Sequence, residues 1–287
     1  MVTRPPVRGP KLARPLGNSH NLCMEIRGKC IVVTGAGSGI GRALVHRFRE
    51  EGARQLVAVD INEAGAEETA SATGAFSMRC DVSSEAEVAS VIEETESRFG
   101  PIDLFCSNAG IGAGMDLSSP SAEWQLSWDV NVMAHVYAAR HLVPRMIERG
   151  GGYFMNTASA AGLLNQLGGA AYGTTKHAAV GFGEWLAMTY KHRGIGVSML
   201  CPQAVRTPMT APPPGAEEGT LATAAAASDG MMEPEELAGI VVEGLAEERF
   251  VILTHPEVLE YMRRKTSDYD RWIGGMNRLY RRLLGEA

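Results

Sequence analysis

Tyr172 and Lys176 stand four residues apart in Tyr172-Gly173-Thr174-Thr175-Lys176, inside a stretch, Tyr172–Tyr190, whose apolar spacing predicts a helix. Residues i and i+4 of a helix share one face, so a phenol and an ammonium would project together. A free phenol, with a pKa of about 10, is a poor base at neutral pH. A neighbouring positive charge favours phenolate, which makes the pair a candidate proton-transfer device. Such a phenol can take the proton of an alcohol or return one to a developing alkoxide. Ser159, thirteen residues upstream, can donate a hydrogen bond to an oxygen on which charge builds. Each has an ordinary use as well: Tyr172 and Lys176 can pack and solvate a helix, and Ser159 can cap a turn. The set gains weight from a second constellation near the start of the chain.

Thr34-Gly35-Ala36-Gly37-Ser38-Gly39-Ile40-Gly41 follows a short apolar run and opens an amphipathic one. A strand, a glycine-rich turn and a helix N-terminus together form an anion site, with backbone N–H groups and the helix dipole aimed at a phosphate. The generic GxGxxG spacing is not met, and no GK[ST] marks a nucleotide-triphosphate loop. Asp60 ends the second apolar run, nineteen residues after Gly41, where an acid accepts from ribose hydroxyls of a bound dinucleotide. A carboxylate there repels a 2′-phosphate, and neither Ser38 nor Ile61 is basic. NAD is therefore favoured over NADP, although Asp60 also suits a helix N-cap.

These groups need a frame. Short apolar runs at Ile31–Thr34, Leu56–Asp60, Ala75–Cys80, Ile102–Ser107, Gly152–Thr157, Gly196–Cys201 and Phe250–Thr254 read as strands. Longer amphipathic stretches lie between them, including Ile40–Glu51, Glu85–Phe99 and Ala122–Ile147. The alternation predicts an α/β, doubly wound Rossmann fold: a seven-stranded parallel sheet with helices on both faces. Residues 1–24 carry Arg4, Arg8, Lys11, Arg14 and several prolines with no acid, and read as a disordered basic tail. A single Rossmann-fold domain is placed at 25–255, with a helical extension of the same domain at 256–287. Ala204–Met232 is too long for a plain connection and reads as a substrate lid.

Composition excludes several classes. A net charge of −6 argues against a basic nucleic-acid surface, and no apolar run is long enough for a membrane span. The five cysteines, Cys23, Cys30, Cys80, Cys106 and Cys201, include no CxxC pair. No metal site is expected, and reduced thiols in a cytoplasmic protein are.

The motifs in this order resemble those of the classical short-chain dehydrogenase/reductase family, over about residues 27 to 255. Thr34, Gly35, Gly39 and Gly41 complete its TGxxxGxG turn, and Asp81 matches its adenine-contacting acid. Ser107-Asn108-Ala109-Gly110 is similar to its NNAG motif with Ser for the first Asn, and Asn131 to its helix asparagine. Ser159, Tyr172 and Lys176 match its Ser and YxxxK set. Cys201-Pro202-Gln203-Ala204-Val205-Arg206-Thr207 resembles its PGxVxT segment, with Gln203 for the glycine. The resemblance implies catalytic Asn131, Ser159, Tyr172 and Lys176. It implies a cofactor cradle of Gly35, Gly37, Ser38, Gly39, Ile40, Gly41, Asp60, Ile61, Asp81, Val82, Asn108, Ala109, Gly110, Pro202, Val205 and Thr207, with Tyr172 and Lys176 touching the nicotinamide end. Lys176 would hold the nicotinamide ribose and Asn131 a water leading from it.

The expected activity is NAD(H)-dependent interconversion of a secondary alcohol and a ketone. An NADP-dependent carbonyl reductase and a non-catalytic nucleotide-binding regulator are the alternatives. Ile111–Met115, Ala161–Leu167 and the lid are apolar and Met-rich, which suggests a hydrophobic small-molecule alcohol or ketone. The family's two long central helices, here around Trp124–Ile147 and Tyr172–Tyr190, imply a homodimer or homotetramer. Trp272, Met276 and Tyr280 mark an apolar face on the basic Tyr261–Leu284 segment; it packs either on the chain's own lid or on a neighbouring subunit. His177 is expected to point away from the Tyr172–Lys176 face.

Overall fold

In a computed structural model the fold is described for residues 24–212 and 220–286. Most of the expected basic tail, and residues 213–219 of the expected lid, lie outside the described residues. Met24, assigned above to the tail, is instead 7% exposed and packs in the core with Ile26 and Phe48.

Seven strands form one parallel sheet in the order β3-β2-β1-β4-β5-β6-β7. They are β1 Cys30–Thr34, β2 Gln55–Asp60, β3 Phe76–Arg79, β4 Leu104–Ser107, β5 Gly152–Thr157, β6 Ile195–Cys201 and β7 Val251–Leu253. Every residue of β1 and β4 is buried, as expected of central strands covered on both faces. Successive side chains alternate between two cores. Val32, Phe105 and Phe154 enter one, with Val91, Leu142 and Leu186; Ile31, Val33 and Met155 enter the other, with Leu44, Leu237 and Val241. The α-helices up to β7 are α1 Gly39–Glu50, α2 Glu63–Thr73, α3 Glu85–Phe99, α4 Ser121–Trp128, α5 Ala134–Glu148, α6 Ala161–Leu164, α7 Ala170–Tyr190, α8 Leu221–Ala226 and α9 Pro234–Ala246, and α1, α3, α5, α7 and α9 supply the helical core residues just named. Strand order reverses between β1 and β4, and the crevice beyond the carboxyl ends of these strands is the standard ligand position in such sheets.

Two features depart from the sequence reading. The single helix expected over Ala122–Ile147 is broken: α4 ends at Trp128, a π-helical turn spans Asp129–Met133, and α5 follows. A π turn carries one extra residue per turn and commonly marks a functional position; Asn131 sits at its centre. The two ends of the Ala204–Met232 loop are also paired through the backbone. Val205 and Met232 form a parallel bridge, Arg206 N donates to Met232 O at 2.9 Å, and Met232 N donates to Ala204 O at 3.0 Å. The loop's two ends are thus zipped together, and α8 lies within it.

The extension forms two helices, α10 Glu257–Ser267 and α11 Tyr269–Leu283. Asp268, extended between them, caps α11 by accepting from Arg271 N at 2.9 Å. Among the described residues, no helix is long and apolar enough to cross a membrane.

Candidate active site

The turn after β1 leaves an anion position open. Helices α2, α3 and α11 each have a side-chain N-cap, but at α1 the Ser38 hydroxyl makes no cap bond and the first turn holds no acid. The first N–H groups of α1 are therefore available to an outside acceptor. Glycine is required on steric grounds. Gly35 has φ +68°, and a Cβ there would lie 2.9 Å from the Ala109 Cα; a Cβ on Gly41 would collide with the Gly35 carbonyl. Thr34 ties this turn to the one after β4: its Oγ1 accepts from Asn108 N at 2.9 Å and Ala109 N at 3.1 Å. Asn108 Nδ2 in turn donates to Thr34 O at 3.0 Å.

A cavity of ≈ 520 Å³ runs along this crevice. All the sequence-assigned cofactor residues line it except Gly37. The N–H of Gly37 goes instead to Asp60 Oδ2, at 2.8 Å, while Asp60 Oδ1 accepts from Asn62 N at 2.9 Å. Gly37 thus positions the carboxylate rather than the ligand, and each Asp60 oxygen keeps a lone pair for a hydroxyl. Asp81 orders its own turn, accepting from Ser83 N and Oγ at 2.9 and 2.7 Å. The only cation among the described lining residues is Lys176; Asp60 and Asp81 are the charged groups at the other end. Arg42, beside the turn, is committed to Gly37 O at 2.6 Å and Glu68 at 2.8 Å.

Ser159, Tyr172 and Lys176 converge where this cavity meets a second one. Tyr172, half-buried, is hydrogen-bonded to Ser159, and Lys176 Nζ lies 5.6 Å from the centre of its ring. Lys176 is 2% exposed and donates to Thr157 O at 3.1 Å. Burial pushes its pKa down to about 8. Burial also pushes the Tyr172 phenol above its ordinary range, a rise the Ser159 hydrogen bond opposes. In the protein by itself desolvation is the largest influence on the phenol. A cationic group bound beside the ring would act in the opposite direction.

Asn131, fully buried, stands one layer behind. Its Oδ1 accepts from Ile111 N at 2.9 Å, and its Nδ2 donates to Ile111 O at 3.0 Å and Thr175 Oγ1 at 3.2 Å. It braces the chain after β4 against α7. Gly110 packs against both polar groups: a Cβ there would lie 3.1 Å from Lys176 Nζ and 3.2 Å from Asn131 Oδ1. His177 points elsewhere, Nδ1 to Gly173 O at 2.8 Å and Nε2 towards Lys265 at 3.4 Å.

The second cavity, ≈ 430 Å³, is lined by Ser159 and Tyr172, by the expected apolar segments (Met115, Leu164, Leu167, Met209), and by lid residues including Ala222 and Ala226. Its remaining wall is the extension: Tyr261, Arg264, Trp272, Met276 and Leu279. The apolar face of α11 therefore packs over the chain's own cavity. Trp272, Met276 and Leu279 repeat at i, i+4 and i+7; the expected Tyr280 drifts off that stripe and is 36% exposed.

A further contact went unforeseen in the sequence. Asp229, at the end of the lid, accepts from Gln203 Nε2 and from Tyr261 Oη, both at 2.8 Å. The glycine-to-glutamine departure at 203 was the only signal of it. The side chain at that position links the segment after β6 to the lid and extension.

Comparison with known proteins agrees with this geometry. A family model described as short chain dehydrogenase matches residues 29–217. The chain belongs to the short-chain dehydrogenase family. It is 33% identical over 258 residues to the 1-deoxy-11-beta-hydroxypentalenate dehydrogenase of Streptomyces exfoliatus, covering 87% of this chain and 91% of that one. It is 41% identical over 190 residues to a 2,5-dichloro-2,5-cyclohexadiene-1,4-diol dehydrogenase of Sphingobium indicum, covering 64% and 76%. A short chain dehydrogenase/reductase of Burkholderia phymatum, solved in complex with NAD, superposes with a TM-score of 0.76 at 33% identity, covering 86% of this chain and 95% of that one. As a short-chain dehydrogenase the chain is an oxidoreductase of alcohol or ketone groups on small molecules, working with a nicotinamide cofactor.

Proposed function

We propose that this short-chain dehydrogenase uses NAD(H) to interconvert a hydrophobic secondary alcohol and its ketone, with Tyr172 as the proton-transfer residue. The observation that carries the cofactor reading is the charge of the first cavity. Asp60 borders its adenosine end, the nearby Arg42 is held by Glu68, and no lysine or arginine lines that end among the described residues. A ribose diol finds an acceptor there; a 2′-phosphate finds repulsion. The uncapped α1 N-terminus suits the pyrophosphate, and Gly35 and Gly41 keep its approach clear.

When bound, NAD⁺ supplies the hydride acceptor and a positive charge near the phenol. In oxidation Tyr172 takes the hydroxyl proton as the carbinol C–H bond breaks, so that the alcohol loses H⁺ and H⁻ together. Ser159, already hydrogen-bonded to Tyr172, holds the same substrate oxygen and stabilises its partial negative charge. Lys176 fixes the ribose beside Tyr172 and stays anchored on Thr157 O. Asn131 sets the distance between α7 and the loop after β4, and a spare lone pair on its Oδ1 can accept from a water that passes protons on from Lys176.

Substrate recognition is assigned to the second cavity, half of whose lining residues are alanine, leucine, methionine or tryptophan. Residues 25–255 are proposed as the catalytic domain and 256–287 as its extension. A cytoplasmic setting completes the proposal, supported by four buried free thiols, Cys30, Cys80, Cys106 and Cys201. Calorimetric titration with NAD⁺ and NADP⁺ tests the cofactor assignment. NAD⁺ is expected to bind at least about tenfold more tightly, the worth of one charge-assisted contact; tighter NADP⁺ binding overturns it.

A further inference from the structure

We infer that Arg264 selects substrates carrying a carboxylate away from the reacting carbon, so that the second cavity takes amphipathic hydroxy or keto acids rather than neutral hydrophobic alcohols. The inference deepens the reading of that cavity as the substrate site and rests on it.

Arg264 is the only charged residue among the described residues lining the cavity. All the other side chains there are apolar or neutral polar, in a protein whose net charge is −6. A cation on an otherwise uncharged wall attracts an anionic group, in competition here with Glu260, which lies outside the lining.

The local geometry leaves that cation usable. Glu260, one turn earlier on α10, accepts from Arg264 Nε at 3.1 Å, so it occupies the inner edge of the guanidinium and fixes its plane. The same carboxylate is shared with Arg263 at 3.9 Å, which leaves the Arg263–Arg264–Glu260 group with a net positive charge. Neither terminal nitrogen of Arg264 has a hydrogen-bond partner among the described residues, and together they offer two parallel N–H donors, the fork that matches the two oxygens of a carboxylate. A phosphate monoester would bring a second charge for which the described lining has no partner. Tyr261 carries the guanidinium 5.9 Å from its ring centre and is itself held by Asp229. Both oxygens of Asp229 are occupied, by Tyr261 Oη and Gln203 Nε2, and Asp229 does not line the cavity.

Position completes the case. Arg264 is 63% exposed in its side chain, so it stands at the mouth, while Ser159 and Tyr172 line the end shared with the cofactor cavity. A ligand with an alcohol at Tyr172 and an apolar body against Trp272 and Met276 would present its far end to Arg264. Exposure also sets the size of the effect: a pair at the mouth is screened, so the preference is expected to be about tenfold in low salt and to shrink as ionic strength rises.

The test is calorimetric titration of the NAD⁺-loaded full chain with cyclohexanebutanoate and with cyclohexanebutanamide, which share one apolar body and differ in charge. The carboxylate is expected to bind about tenfold more tightly at low salt, with the gap closing as salt is added. Arg264→Gln is expected to bring the two ligands within about threefold, and Arg264→Lys to restore part of the difference, because a lysine keeps the charge and loses the fork. Each variant's melting temperature checks that it folds. An unaltered carboxylate preference in Arg264→Gln, or amide binding equal to carboxylate binding in the unsubstituted chain, overturns the inference and leaves the hydrophobic site standing. Failure of both ligands to bind overturns the reading of the cavity as well.

Discussion

Tyr172 and Lys176 are both driven towards neutrality by burial, the phenol by a rise and the ammonium by a fall to about 8. The proposed proton-transfer pair is therefore held out of poise, and a cationic cofactor next to the ring is what would favour phenolate. This detail was not legible in the sequence. The spacing of Tyr172 and Lys176 gives a shared helix face, but not the depth at which the fold buries it, and that burial dominates both shifts. The fall in the Lys176 pKa has a consequence for stability. Between pH 8 and 10.5 the unfolded chain binds more protons at this lysine than the folded one, so stability rises with pH across that window. Denaturant unfolding of the wild type and Lys176→Met is expected to show the wild type gaining on the variant from pH 8 to 10.5. A difference that stays flat across the window contradicts the burial-depressed lysine.

At the scale of elements, strand positions were legible because a parallel strand buried on both faces is a short, nearly continuous apolar run. The glycine turn was legible for a steric reason, since few sequences tolerate a backbone that close to Ala109. The π turn at Asn131 was not, because an extra residue shifts the phase of the apolar pattern in Ala122–Ile147 without interrupting it. The wall built by α10 and α11 was only half visible. An amphipathic face predicts that something covers it, and which surface does so depends on tertiary packing. Asp229 joins these elements by accepting from Gln203 and Tyr261. Asp229→Ala leaves an amide and a phenol without their acceptor, so it is expected to lower stability by about 1–3 kcal/mol. Since it loosens the lid and extension, KM for the alcohol is expected to rise more than kcat falls. Chemical denaturation and steady-state kinetics read the two effects; an unchanged KM with an unchanged unfolding midpoint contradicts the coupling.

At the scale of the whole molecule, two cavities meet at Ser159 and Tyr172, where the proposed reaction lies. On its opposite flank α5 and α7 leave an apolar groove of ≈ 570 Å³ lined in part by Val136, Val143, Phe182, Trp185 and Tyr190. Trp185 in this groove is 49% exposed. Large apolar side chains so placed on long helices suit a subunit contact, and a homo-oligomer through α5 and α7 is proposed. Light scattering is expected to show an oligomer for the wild type and a smaller species for Trp185→Glu; an unchanged mass for the variant contradicts this surface as the contact. The central claim concerns the point where the cavities join, and replacing Tyr172 with phenylalanine tests it most directly. With NAD⁺ and a hydrophobic secondary alcohol, kcat/KM of a folded Tyr172→Phe enzyme is expected to fall by about 10²–10⁴-fold, the range of a lost general acid–base. Turnover within about tenfold of the wild type would show that the proton leaves by another route.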